Sequence, residues 1–159
     1  MNIKGHGLRD HIRLVGPLFG LVAAVWALRM ILAAAGAPKM LVHPFSVTMA
    51  VPICIMLAVF LIHIRRFGSY TSVVFAALLL VLWSEVLISA AIAFSALSRI
   101  ETVYSEPEFS FGIHSPWKHI AGHMTFGVGF GTLFGAAMGC LLLWMLRRLP
   151  ADTAQANRR

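Results

Sequence analysis

Charge is what this chain has least of. Charged residues make up 12% of its 159 positions, and only six are acidic; a soluble domain carries about a quarter. So little charge cannot cover a water-soluble globule of this size, and it does not fit a disordered tail. Cysteine is scarce as well. The two cysteines, Cys54 and Cys140, fall inside long apolar runs, where a thiol behaves as a small hydrophobe, so neither a disulfide framework nor a CxxC metal motif is available. Also missing are a phosphate-cradling glycine loop after a strand, a nucleophile elbow and a defensible Ser/His/Asp order. No catalytic constellation is legible, and no enzymatic activity is assigned.

What is present is hydrophobic length. Apolar residues are 59% of the chain and the mean hydropathy is +0.83. A bilayer core of about 30 Å is crossed by roughly 20 apolar residues in a helix, and the chain supplies four such runs, at about 14–36, 44–64, 71–97 and 116–146. Barrel strands would alternate apolar and polar residues, and the run VVFAALLLVL from Val73 to Leu82 does not. The expected fold is therefore all-α: a polytopic integral membrane protein, four transmembrane helices in an up-down bundle. It forms a single domain over 1–150, with a short basic tail at 151–159. The first run follows a basic start like a secretory signal. It exceeds the 7–15 apolar residues of such a signal and contains Arg29, so it reads as an uncleaved span.

The formal charge of +7 and the pI near 10.5 resemble a nucleic-acid binder until the charges are placed. If the N-terminus is cytoplasmic, the inner flanks hold nine Lys and Arg and the outer flanks three. By the positive-inside rule both termini are cytoplasmic. The expected partner is the lipid bilayer and not nucleic acid, and a bacterial inner membrane is the expected location.

Few polar residues remain at depth or in clusters, and function is sought there. Four glycines, Gly127, Gly131, Gly135 and Gly139, recur every four residues in the fourth span. They line one helix face and admit a close neighbour, either within the chain or in a homo-oligomer or membrane-protein partner docked on the fourth helix, or they form a pore or ligand groove. The same spacing continues to His123 and His119, which Ser115–Pro116 precedes as a helix start. With His114 and His43 they form an expected outer-face histidine cluster, suited to a metal ion or an axially held haem. The alternative is that these histidines simply sit at the membrane interface. In the third span Glu85 lies near the bilayer centre, where a charge costs about 2.5–3.5 kcal/mol on insertion scales. Arg29 of the parallel first span is its expected partner in an intramembrane ion pair. Pro52 should kink the second helix, because it frees the carbonyl of Thr48.

Three functions stay open on these residues. The first is a structural, accessory or oligomeric membrane component. The second is a metal- or haem-binding redox protein using His43, His114, His119 and His123. The third is an oligomeric transporter or channel subunit built around Arg29, Glu85 and Pro52.

Overall fold

A long apolar run without turn residues satisfies its own backbone most simply as a helix, and that is what the runs form. The computed structural model describes residues 2, 3, 6–100, 102–104 and 115–148. A two-residue antiparallel pair, β1 (Asn2–Ile3) with β2 (His6–Gly7), precedes the helices, a small addition to the all-helical expectation. The first span is α1 (Leu8–Ala34). The second combines α2 (Lys39–Val42) with α3 (Val47–Ile64), and the third is α4 (Tyr70–Ser98). The fourth runs from α5 (Pro116–Gly122) through a π-helical segment (His123–Gly127) into α6 (Val128–Arg148). All four are long and apolar enough to cross a membrane.

Two boundaries differ from the sequence reading. The first helix begins at Leu8, six residues early. Extended Gly7 caps it by donating its N–H to the Asp10 carboxylate at 2.8 Å. His11 is buried one turn on, its Nδ1 2.9 Å from the Gly7 carbonyl and its ring edge-on to Phe67 and Phe75. Tertiary packing thus extends the helix beyond its apolar run. In the second span Pro44 lies in the turn before the helix, and α3 starts after an extended Ser46. At the other two starts the expectation is met: Ser115 is extended, with Pro116 at the first helical position.

The helices run up and down. His11 of α1 meets Phe67 of the α3–α4 turn, and Arg147 of α6 donates to the Gly68 carbonyl at 3.3 Å while lying over Tyr70. That end, which holds both the start of α1 and the end of α6, is called here the terminal end; the other is the distal end. The α3–α4 turn is tight, with Arg66 and Gly68 both at positive φ. Helix α4 is central and packs on the other three spans. Its buried positions carry small or medium side chains, among them Val73, Ala76, Ala77 and Leu80, so neighbours approach it closely. Large apolar side chains such as Ile31, Leu97, Phe126, Phe130 and Leu133 cover the outside of the bundle. Water would disfavour so extensive an apolar surface.

The four-residue glycine row faces inward, against the chain's own helices. A Cβ at Gly131 would stand 2.9 Å from Val81 Cγ1, one at Gly135 2.5 Å from Ile55 Cδ1, and one at Gly139 2.7 Å from Val73 Cγ1. At Gly127 the neighbour is the Glu85 carboxyl, at 2.8 Å. The missing side chains are therefore replaced by residues of α3 and α4, and the surface that the fourth span turns outward is its aromatic side. Gly129, off the row, meets nothing within 4 Å. Gly139→Ala should destabilise the protein by about 1–3 kcal/mol through overpacking against β-branched neighbours. Gly129→Ala should be neutral, or stabilising by up to about 1 kcal/mol from helix propensity. Denaturant unfolding of both variants in one detergent checks this, and equal effects would remove the packing role of the row.

Candidate functional site

A carboxylate in an apolar bundle needs a partner that arrives already buried. Glu85 sits at the middle of α4, thirteen residues before its end at Ser98. Its partner is His123: Nδ1 lies 2.6 Å from Glu85 Oε2, with side-chain exposures of 26% for the histidine and 14% for the glutamate. Whichever atom holds the proton, one donor and one acceptor are matched, and a charge-assisted bond of this length is a strong one. His123 continues the chain. Its Nε2 is 3.2 Å from Nε2 of His119, one turn nearer the distal end and 7% exposed. Glu85, His123 and His119 thus form a hydrogen-bonded line from mid-bundle toward the distal end.

The local sequence explains how the fourth span can make this contact. The π segment His123–Gly127 begins and ends on the two residues that touch Glu85. A π turn widens the helix by one residue, and such turns gather at functional sites. The Thr125 hydroxyl donates back to the Ala121 carbonyl at 2.7 Å and reaches Gly122, a bond that competes with the regular ladder and bends helices. Gly127 leaves the volume that the carboxyl occupies.

The expected Arg29–Glu85 pair is not the one formed. Trp83 Nε1–H donates to the Phe19 carbonyl at 3.1 Å, and Phe75 meets His11. Both pairs set α4 residues against α1 residues 64 positions earlier, so Glu85 is level with Leu21. Arg29 then lies about 12 Å farther along at 1.5 Å per residue, too far for its side chain to take the carboxylate from His123. It is buried instead at the distal end, its guanidinium 5.0 Å above the ring of Tyr104. Burial pushes the Tyr104 phenol above its ordinary range, and the charge of Arg29 partly offsets this.

Of the four histidines expected at one metal site, His119 and His123 are in contact. His114 lies outside the described residues. His43 caps α2 at an exposed position. Among the described residues no three of His, Cys, Asp and Glu are placed to hold a metal ion. The reason is directional: His123 turns Nδ1 to Glu85 and Nε2 to His119, so the carboxylate and the second imidazole stand on opposite edges of one ring. Nor can His119 and His123 hold a haem between them, since one turn of one helix cannot supply ligands to both of its faces. His123 was assigned to the outer surface from sequence. The structure puts it beside Glu85, because the fourth span starts below the distal end of α4.

Sequence reasoning singled out Glu85 and His123 but did not join them. A cavity opens beside them, with Gly131 and Gly135 of the glycine row in its lining. This space of about 350 Å³ lies between α3, α4 and α6, with Glu85, Ser84, Val51, Pro52, Phe130 and Phe134 among its lining. Pro52 and the glycine row are the sequence features that point here.

A double-mutant cycle separates the two pairings. Glu85→Ala and His123→Ala should couple by about 1–3 kcal/mol in unfolding free energy, whereas Arg29→Ala and Glu85→Ala should add to within about 0.5 kcal/mol. The reverse pattern, read by denaturant unfolding in detergent, would restore the Arg29 pairing.

Comparison of the chain with protein-family models, curated proteins and solved structures finds no match, so what the site does is read from its chemistry.

Proposed function

We propose that this is a multi-pass membrane protein built around a protonatable centre, Glu85–His123–His119, that serves proton-linked binding or transport. The observation that carries this reading is the convergence of the π segment on Glu85: the two residues that bound it are the two that contact the carboxylate. A simple packing staple requires neither an interrupted helix nor a second histidine behind the first. Ionisable residues inside a membrane span are costly and are usually retained for use.

The direction of the centre narrows the reading further. Toward the distal end, His123 and His119 can each accept a proton on one nitrogen and release one from the other. Toward the terminal end, the buried side chains beyond Glu85 include Val81, Ala77 and Val73 of α4 and Ile55 and Val59 of α3. None of these can carry a proton, and the buried polar Ser72 and His11 stand only at the terminal end itself. This favours a site loaded from one side over an open channel, and it takes weight from a purely structural component. The lysine and arginine count makes the distal side the outer one. Reporter fusions after Ile64 and after Arg148 should report a cytoplasmic location, and one after Ser98 an external location. An inverted pattern would turn the proton entrance to the cytoplasm.

The proton centre itself is tested by infrared difference spectroscopy on the protein in nanodiscs. The wild type should show a pH-dependent carboxyl signal that disappears in Glu85→Gln and shifts in His123→Gln. Identical pH-difference spectra for wild type and folded Glu85→Gln would sink the proposal.

A further inference from the structure

The cavity beside Glu85 has a chemical bias. Its walls come from α3, α4 and α6 and are almost wholly apolar. The exceptions are Glu85, Ser84 and Thr48. The Ser84 hydroxyl already donates to the Val81 carbonyl at 2.7 Å, so its hydrogen is committed. Among the described residues no lysine, arginine or histidine is part of the lining. The cavity therefore offers a carboxylate and two further oxygens, and no positive group to match an anion. His123 takes Oε2 of Glu85 and leaves Oε1 without a hydrogen bond among the described residues.

Access is from the side. Phe130 and Phe134 flank the cavity and are 73% and 57% exposed on the apolar exterior, so the route in runs through lipid-facing surface. A molecule entering this way must first dissolve in the bilayer. Aromatic faces beside a carboxylate also attract a cation held in a dry setting, and a volume of this order falls within the usual range of small-molecule pockets.

We propose that the cavity between α3, α4 and α6 binds a lipophilic organic cation drawn from the bilayer. Its apolar body packs among Val51, Ile55, Ile88, Phe130 and Phe134, and its positive centre lies at the Glu85 carboxylate. The proposal rests on the reading of Glu85 as the protonatable centre and adds the ligand class to it. Binding competes with the proton held between Glu85 and His123. A bound cation neutralises the carboxylate, and the displaced proton leaves His123 through His119 toward the distal end. The groups facing Glu85 bear this out element by element. The fourth span presents His123 and His119, α3 presents only uncharged residues, and the Arg29 cation of α1 is about 12 Å farther along at 1.5 Å per residue. Affinity should thus rise with pH.

The test uses the full chain in nanodiscs, with tetraphenylphosphonium as the cation and tetraphenylborate as an anion of the same shape. Wild type should bind the cation saturably, more tightly at higher pH and with release of protons, and should bind the anion no better than empty nanodiscs. Glu85→Gln should weaken cation binding by about tenfold or more, the loss of a charge-assisted contact. Val51→Trp fills the cavity and leaves the carboxylate in place. It should abolish binding while keeping the Glu85 infrared signal, which also shows that the variant is folded. Equal binding of cation and anion, or unchanged cation affinity in either variant, overturns the proposal. A pH-dependent Glu85 signal without saturable cation binding overturns the ligand class and leaves the protonatable centre standing. Absence of both removes the centre as well.

Discussion

The bond between Glu85 and His123 is the constraint to which the rest of the bundle is fitted. An unpaired carboxylate at mid-bundle would be strongly destabilising, so the fourth span must deliver an imidazole to that depth. It does so at a particular register, with Gly127 clearing space for the carboxyl and a π turn presenting His123. The same register places Gly131, Gly135 and Gly139 against Val81, Ile55 and Val73. Polar pairing and close packing thus specify one alignment of α4 with the fourth span, and neither need be traded for the other.

The packing also accounts for the cavity. Small residues along α4 and the glycine row bring the helices together toward the terminal end, where Leu143 and Val73 are buried. Beside Glu85 the second span contains Pro52, which cannot donate to the helical ladder, and the fourth span leaves its regular path. Here α3 and α6 do not close over α4, and the space that remains has the carboxylate on its wall. The polar centre and the apolar cavity share Glu85, which is why they are adjacent.

Much of the fold was legible because membrane solvation is a severe and simple filter. Runs of apolar residues identified all four long helices, and every run boundary except the start of α1 fell within a few residues of a helix end. The early start of α1 was not legible: it depends on His11 finding Phe67 and Phe75, residues more than fifty positions away. The candidate site was legible in part. Glu85 stood out because a mid-span acid is expensive, and His119 and His123 stood out by their spacing. Their meeting did not, since it depends on how far the fourth span is displaced along α4. Equal span centres suggested Arg29 as the partner; the actual register, set by Trp83 on Phe19 and by the glycine row, gives Glu85 to His123 and Arg29 to Tyr104.

The order of apolar residues alone determined the four helices long and apolar enough to cross a membrane and the few positions where polarity is tolerated within them. These follow from transfer free energies, which add residue by residue and need no partner to be known. The tertiary structure decided which of those polar residues share a site, where the helix yields to join them, and that an apolar cavity opens at their side. Such features depend on the relative axial shift of two helices, and a shift of a few residues exchanges one partner for another without changing the hydropathy of either span.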